Sequence, residues 1–254
     1  MIKEEEKFEA SDILEGMTSI SALLNSTAEN DRKIQKVYID ATKRKSLSAK
    51  IGFLVAKSHA LGFSIEFVDA QTISSLAVGN THGGVLAFCT PRTIPALQKE
   101  HILPDQFYVY LEGIEDPYNF GYTVRSLYAA GVAGVILPPR NWMSAAGVVA
   151  RASAGASELI PMYTAETETL VSCFRAAGYR ILCAGIRDSV SVFEEHFSYP
   201  ILLVVGGEKR GISGALLQQA DQIVRIDYGR EFRGSLSAAS AATVMAFEIF
   251  RQNR

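Results

Sequence analysis

The sequence predicts an α/β protein, with a parallel sheet in its second half and a smaller α/β domain before it. Three observations lead there. After residue 106, strand-like runs that are apolar throughout, such as Phe107–Leu111 and Ile201–Val205, alternate with helical patterns. Strands without polar alternation belong to parallel sheets covered on both faces. A stretch at 90–104 carrying Pro91, Pro95 and Pro104 separates two series of alternating elements. The length, 254 residues, is comfortable for two domains. The expected boundaries are a domain at 1–92, a linker at 93–105 and a second domain at 106–254.

Within the first domain, Ile13, Leu14, Met17, Ile20, Leu23 and Leu24 have helical spacing and predict a helix over 11–24. A short strand over 36–39, a helix over Ser48–Leu61, a strand over Ser64–Val68, a short helix over 70–77 and a strand over 84–88 follow. The second domain opens with the strand Phe107–Leu111, a loop at 113–119 and a helix to about Gly131. Next come a strand at Gly134–Leu137, a segment through Ala156 and a helix over 168–177. Strands at Arg180–Ala184 and Ile201–Val205, a helix over 213–219, a strand over 222–226 and a helix over 236–251 complete it. Sheets of this kind bind ligands beyond the carboxyl ends of their strands. The notable sequence motifs all follow strand ends.

Composition narrows the function classes. Apolar residues make up 48% and charged residues 20%, which is ordinary for a globular protein. The longest apolar runs are far too short to span a bilayer, and the start, MIKEEEK, lacks the pattern of a secretory signal. The three cysteines, Cys89, Cys173 and Cys183, are odd in number and lack C-x-x-C spacing, so a reducing cytoplasm is expected rather than a disulfide framework or structural zinc. The four histidines show no ligand spacing, and no metal is expected. Net charge is −2, yet 31–57 holds eight basic residues against Asp31 and Asp40. A local basic face attracts phosphate whatever the total charge. Alone, the segment reads slightly better as a solvated charged surface; Lys43, Arg44 and Lys45, its densest part, are the candidate RNA contacts.

Three motifs carry chemistry. In Glu115-Asp-Pro-Tyr-Asn-Phe-Gly-Tyr-Thr-Val-Arg125, Asp116 suits a helix cap and Pro117 the first helical position. Phe120, Val124 and Leu127 fall on one face, toward the core, while Arg125 falls off it. Asn119 sits at the helix mouth, and an arginine near a helix start makes an anion site. Alone, this reads equally as a capped helix with a surface arginine. In Val205-Gly-Gly-Glu-Lys-Arg-Gly211, adjacent glycines let backbone approach a ligand closely; the loop is neither a Walker A loop nor a dinucleotide fingerprint. The third motif runs from Arg225 to Ser240 into a helix whose small residues permit tight packing.

Taken together, N-x-G-x-x-x-R, then G-x-E-x-x-G about eighty residues later, then Ser-Leu opening the last helix resembles the SpoU-type (TrmH-like) RNA ribose methyltransferases of the SPOUT class. Residues 152–156, Ala-Ser-Ala-Gly-Ala, resemble that family's S-x-G-A stretch, and 81–85, Thr-His-Gly-Gly-Val, its substrate-binding signature. The resemblance implies a deep trefoil knot, S-adenosylmethionine as cofactor, and a homodimer with active sites at the subunit interface. It implies transfer of a methyl group to a ribose 2′-hydroxyl of structured RNA, ribosomal RNA being favoured over transfer RNA. Asn119, Arg125, Glu208 and Ser235 match the catalytic constellation; Gly206, Gly207, Gly211, Ile226, Ser235 and Leu236 match cofactor-binding positions. Arg230 and Arg233, in a loop that looks one residue longer than usual, are candidate phosphate contacts. The family's I-P-M and S-L-N read here Ile226-Asp-Tyr and Ser235-Leu-Ser237. Ser237 in place of asparagine motivates the alternative of an RNA-binding protein of this fold with weak or lost catalysis.

Overall fold

The computed structural model describes residues 9–28, 30–207 and 209–254. The chain forms two compact units: residues 1–93 with 141–159, and residues 94–140 with 160–254. The division does not follow the chain, because a segment from within the second half belongs to the first unit.

The first unit is built on a four-stranded mixed sheet. Its elements are β1 (Ile13–Glu15), α1 (Gly16–Asn25), β2 (Ile34–Asp40), α2 (Ser48–Leu61), β3 (Ser64–Val68), α3 (Ala70–Leu76) and β4 (Val85–Cys89). The strand order is β1-β4-β2-β3, with β2 and β3 parallel and β4 antiparallel to both β1 and β2. Residues 13–15 form a strand where the sequence predicts the start of a helix. All three are buried and pair with Phe88, Ala87 and Leu86. Gly16 then takes φ +78°, a conformation open to glycine, and the helix starts there.

The second unit holds β5 (Phe107–Leu111), α4 (Pro117–Ala129) and β6 (Gly134–Leu137). The segment 141–159 contributes α5 (Ala146–Ala152) and α6 (Ala156–Leu159) to the first unit. The chain re-enters the second unit with β7 (Met162–Thr164), α7 (Thr167–Ala176), β8 (Arg180–Ala184), β9 (Val190–Ser191), β10 (Ile201–Val205), α8 (Gly214–Leu217), β11 (Gln222–Arg225) and α9 (Ala238–Gln252). Seven strands in the order β7-β6-β5-β10-β8-β11-β9 form one sheet in which every pairing is parallel. The central strands β5 and β10 are buried at every position, as apolar runs without alternation require. Tyr108, Phe174 and Tyr179 stack edge to face on the α7 side.

Residues 141–159 are locked into the first unit by buried polar groups. Glu158 bridges Arg32 and Arg92, and Arg151 pairs with Glu15 at 2.8 Å. The Ala-Ser-Ala-Gly-Ala stretch lies here, against α1. Gly155 has φ +83°, and a Cβ on it would strike Ala22 Cβ. Small residues are therefore required by packing at this place. Among the described residues, no helix is long and apolar enough to cross a membrane, and no group of three or more His, Cys, Asp or Glu side chains could hold a metal.

Candidate active site

Three loops at the carboxyl ends of parallel strands, together with the approach to α9, enclose a cavity of about 760 Å³. Residues 184–187 end and follow β8, 205–207 and 210–212 do so for β10, and 223–228 for β11; residues from 232 to 245 close the remaining side. The walls include Ile186, Ile212, Ile223, Leu217, Leu236 and Met245, with Arg187, Arg210, Asp227 and Ser235 as polar groups. A largely apolar cleft with a few convergent polar groups suits a small-molecule cofactor.

The two glycines after β10 are dictated by close backbone approach. A Cβ on Gly206 would fall on the main chain of Gly211 and Ile212, and one on Gly207 on the main chain of Gly113. Gly211 N–H donates to Gly207 O at 2.9 Å and has φ +65°. The loop is folded tightly on itself and against the turn after β5, which only glycine allows.

A second cavity, about 320 Å³, lies at the carboxyl end of β5 and is lined by Gly113, Ile114, Glu115, Asp116, Asn119 and Lys209. Asp116 caps α4 by accepting the Asn119 N–H at 2.8 Å, as its residue type predicts. The Lys209 ammonium, hydrogen-bonded to Glu115 at 3.2 Å, holds that carboxyl below its ordinary pKa. Phe120, Val124 and Leu127 are buried.

The structure therefore gathers Gly206, Gly207, Gly211, Ile226, Arg233, Ser235 and Leu236 around the first cavity and Asn119 at the second. Arg125 lines neither; it is exposed on α4 beside Tyr122, which is 52% exposed. Arg230 is exposed and also lines neither cavity. Glu208 lies outside the described residues. Lys43, Arg44 and Lys45 are in the first unit, where β2 gives way to α2.

Sequence reasoning missed several lining residues. Arg187 stands in a loop with no motif. Tyr228 and Phe232 pack edge to face at 5.7 Å, and the Tyr228 hydroxyl accepts the Leu236 N–H at 3.2 Å. Arg225 bridges to Asp227 at 2.8 Å, and Ser191 and Arg225 together hold the Asp227 carboxyl below its usual pKa. The two departures from I-P-M, Asp227 and Tyr228, thus pin both ends of the loop over the cavity. Their appearance in place of Pro and Met was the available clue. Ser237 is the N-cap of α9: its Oγ accepts the Ser240 N–H at 3.2 Å. Asparagine and serine are both strong N-caps, so the exchange conserves the helix start.

Comparison with known proteins gives a consistent picture. Residues 106–247 match the model of the SpoU rRNA Methylase family, and residues 13–95 match that described as RNA 2′-O ribose methyltransferase substrate binding. The chain is similar to the 23S rRNA (guanosine-2′-O-)-methyltransferase RlmB of Pasteurella multocida, 27% identical over 93% of this chain and 96% of that one. It is 28% identical to a putative TrmH family tRNA/rRNA methyltransferase of Staphylococcus saprophyticus, over 86% of this chain and 88% of that one. The structure of an AdoMet-bound rRNA methyltransferase from Sinorhizobium meliloti superposes with a TM-score of 0.77, at 27% identity, covering 94% of this chain and 86% of that one.

Proposed function

The chain belongs to the SpoU rRNA methylase family, and from that premise we propose that it methylates a guanosine 2′-hydroxyl of large-subunit ribosomal RNA. It is an S-adenosylmethionine-dependent RNA 2′-O-ribose methyltransferase of the SPOUT fold. The observation that carries the reading is the cavity walled by the strand-end loops after β8, β10 and β11, with its close-packed glycines. Guanosine is the finer choice, supported by the name of the Pasteurella relative.

The residues present fit the cofactor. Gly206, Gly207 and Gly211 offer backbone unscreened by side chains, and Ile226 and Leu236 bring an apolar wall. Bound S-adenosylmethionine supplies a methyl group on a sulfonium, already a good electrophile. What remains for the protein is to place the ribose hydroxyl and accommodate the charge that develops as its proton leaves. A guanidinium does not give up its own proton near neutral pH. Arg125 therefore acts as a clamp that orients the hydroxyl and stabilises developing negative charge. Asn119 at the second cavity and Ser235 at the first offer neutral hydrogen bonds. Glu208 belongs to the same proposed constellation. Arg230 and Arg233 take RNA phosphates.

Arg125 lines neither of these two cavities, and its surroundings support a homodimer. Tyr122 and Tyr128 on α4, and Phe247 and Phe250 on α9, leave aromatic surface exposed on two helices that pack together. A second copy covering this face would bury that surface and set Arg125 against a neighbouring cavity. The trefoil knot is part of this proposal, supported by the close approach of the loop after β10, at Gly207, to the backbone of Gly113. A cytoplasmic setting is supported by three free, buried cysteines. Mass spectrometry of nucleosides from ribosomal RNA, with and without the protein, tests the reaction. A methyl on guanosine ribose is expected; a methyl on a base nitrogen would overturn it. Arg125→Ala should lower transfer by about 10²-fold or more while S-adenosylmethionine still binds; full activity would remove Arg125 from the mechanism.

A further inference from the structure

The first unit carries an aromatic ring that its core leaves uncovered. Phe67 on β3 is the register partner of Ile39 on β2, so the two side chains share one face of the sheet. Ile39 is fully buried in the cluster formed with α1 and α2, whereas Phe67 is 39% exposed. β3 is the edge strand, and the apolar face runs out to that edge. What lies over the ring is Arg44, its guanidinium carbon 4.6 Å from the ring centroid.

The neighbourhood is cationic. Lys43 and Lys45 flank Arg44 in the chain. Lys43 lies along the glycine turn that leads into β4, where a Cβ on Gly84 would come within 2.8 Å of its Cδ. Gly83 and Gly84 both have positive φ, and Gly84 N–H donates to His82 Nδ1 at 3.1 Å. The turn thus holds the stem of Lys43 in place. Of the nearby carboxylates, Asp40 is buried and occupied by Thr42; Asp69, just past β3, is occupied by Thr72 as the cap of α3, and Glu66 within β3 is exposed.

An exposed ring stacked with a guanidinium, among lysines, is what an unpaired base and its phosphates require. Paired bases have their faces covered by neighbouring pairs and cannot use it. We propose that Phe67 and Arg44 form a stacking platform for one unpaired base of the RNA substrate, with Lys43 and Lys45 holding the adjacent phosphates. The proposal rests on the RNA-methylating reading and adds a substrate class: a loop or bulge rather than continuous duplex.

The test is fluorescence anisotropy of the full chain with two labelled RNAs of equal phosphate count, a stem–loop with an unpaired uridine loop and a fully paired duplex. The wild type should prefer the stem–loop. Phe67→Leu, which keeps apolar bulk at the strand edge, should lose roughly tenfold affinity for the stem–loop and little for the duplex. Arg44→Lys keeps the charge but not the plane and should show the same selective loss, which decides the matter if Phe67→Leu folds poorly. Lys43→Gln with Lys45→Gln should weaken both RNAs and reduce the salt slope by about two. Equal wild-type affinity for the two RNAs, binding of neither, or variants that weaken both RNAs alike would overturn the platform. Calorimetric binding of S-adenosylmethionine, read in parallel, separates this outcome from failure of the methyl-transfer reading.

Discussion

Replacing Glu158 with glutamine should unfold the first unit at much lower denaturant. Its carboxylate lies 3.3 Å from Arg32 Nη1 and 3.7 Å from Arg92 Nη1, and the three side chains are 1%, 0% and 2% exposed. Burial already pushes the Arg92 pKa down, and Glu158 is the charge that most opposes that shift. Each attraction is worth about 4–5 kcal/mol at an effective dielectric of about 20, and much of that offsets the cost of taking the ions out of water. Removing the carboxylate leaves the cost behind, about 3–5 kcal/mol. The amide must also abandon one of its present partners. Glu158 accepts from Arg32 at one oxygen and from Asn30 Nδ2 at the other, and an amide has one acceptor oxygen. Trp142 provides the assay. It is the chain's one tryptophan, it is buried, and it belongs to the first unit. With a urea dependence of about 1–3 kcal/mol/M, the midpoint of its fluorescence transition should fall by at least about 1 M. A loss below about 1 kcal/mol would refute the reasoning. Replacing the whole cluster by Arg32→Met, Arg92→Met and Glu158→Leu should cost less than Glu158→Gln alone.

Gly207→Ala should destabilise the second unit by about 1–3 kcal/mol or more and abolish calorimetric S-adenosylmethionine binding, because the added methyl meets Gly113 backbone rather than a movable side chain. Gly229→Ala, with open space around it, is the control; unchanged behaviour of both would refute the role of close backbone approach. Asp40, bonded to the Thr42 N–H and hydroxyl, has its pKa held below the ordinary carboxylate value. A depressed folded-state pKa stabilises above the unfolded value, about 3.9, and that stabilisation fades as pH falls through the folded one. Asp40→Asn should therefore lower stability at neutral pH by on the order of 1 kcal/mol and lose less than wild type on acidification below about pH 4; parallel acid limbs would contradict this. Burial pushes the thiols of Cys89 and Cys183 up to about 12, so a thiol reagent at pH 8 should label neither until the chain unfolds, as mass mapping of the modified peptides would show.

Legibility from sequence followed the range of the forces involved. Phe107–Leu111, Ile201–Val205 and Arg180–Ala184 were readable to the residue because burial on both faces writes a continuous apolar run. The start of α4 was readable because its cap is local: Asp116 bonds a group three residues away. Residues 13–15 were not, since Ile13 and Leu14 fit a helical spacing until β4, more than seventy positions on, pairs with them. β7 and β9, three and two residues long, exist through their pairing with β6 and β11. At the site, the resemblance to the SpoU-type motifs disclosed Gly206, Ile226 and Leu236. Arg187, Tyr228 and Phe232 join them only in three dimensions. The buried role of Glu158 was hidden for the same reason, because Arg32 and Arg92 are distant in the chain.

The return of residues 141–159 to the first unit has a consequence for synthesis. A ribosome delivers the chain from its amino end, and domains generally fold as units during that process. Here the first 93 residues emerge with Arg32 and Arg92 lacking the carboxylate that sits between them, and with Ala22 facing no Gly155. The missing piece arrives only after β5, α4 and β6 of the other unit have been made. The nascent first unit must therefore wait, incomplete, through the making of some fifty further residues. Completion of the first unit thus waits on translation, and a pause after residue 159 should favour the native product over one before 141.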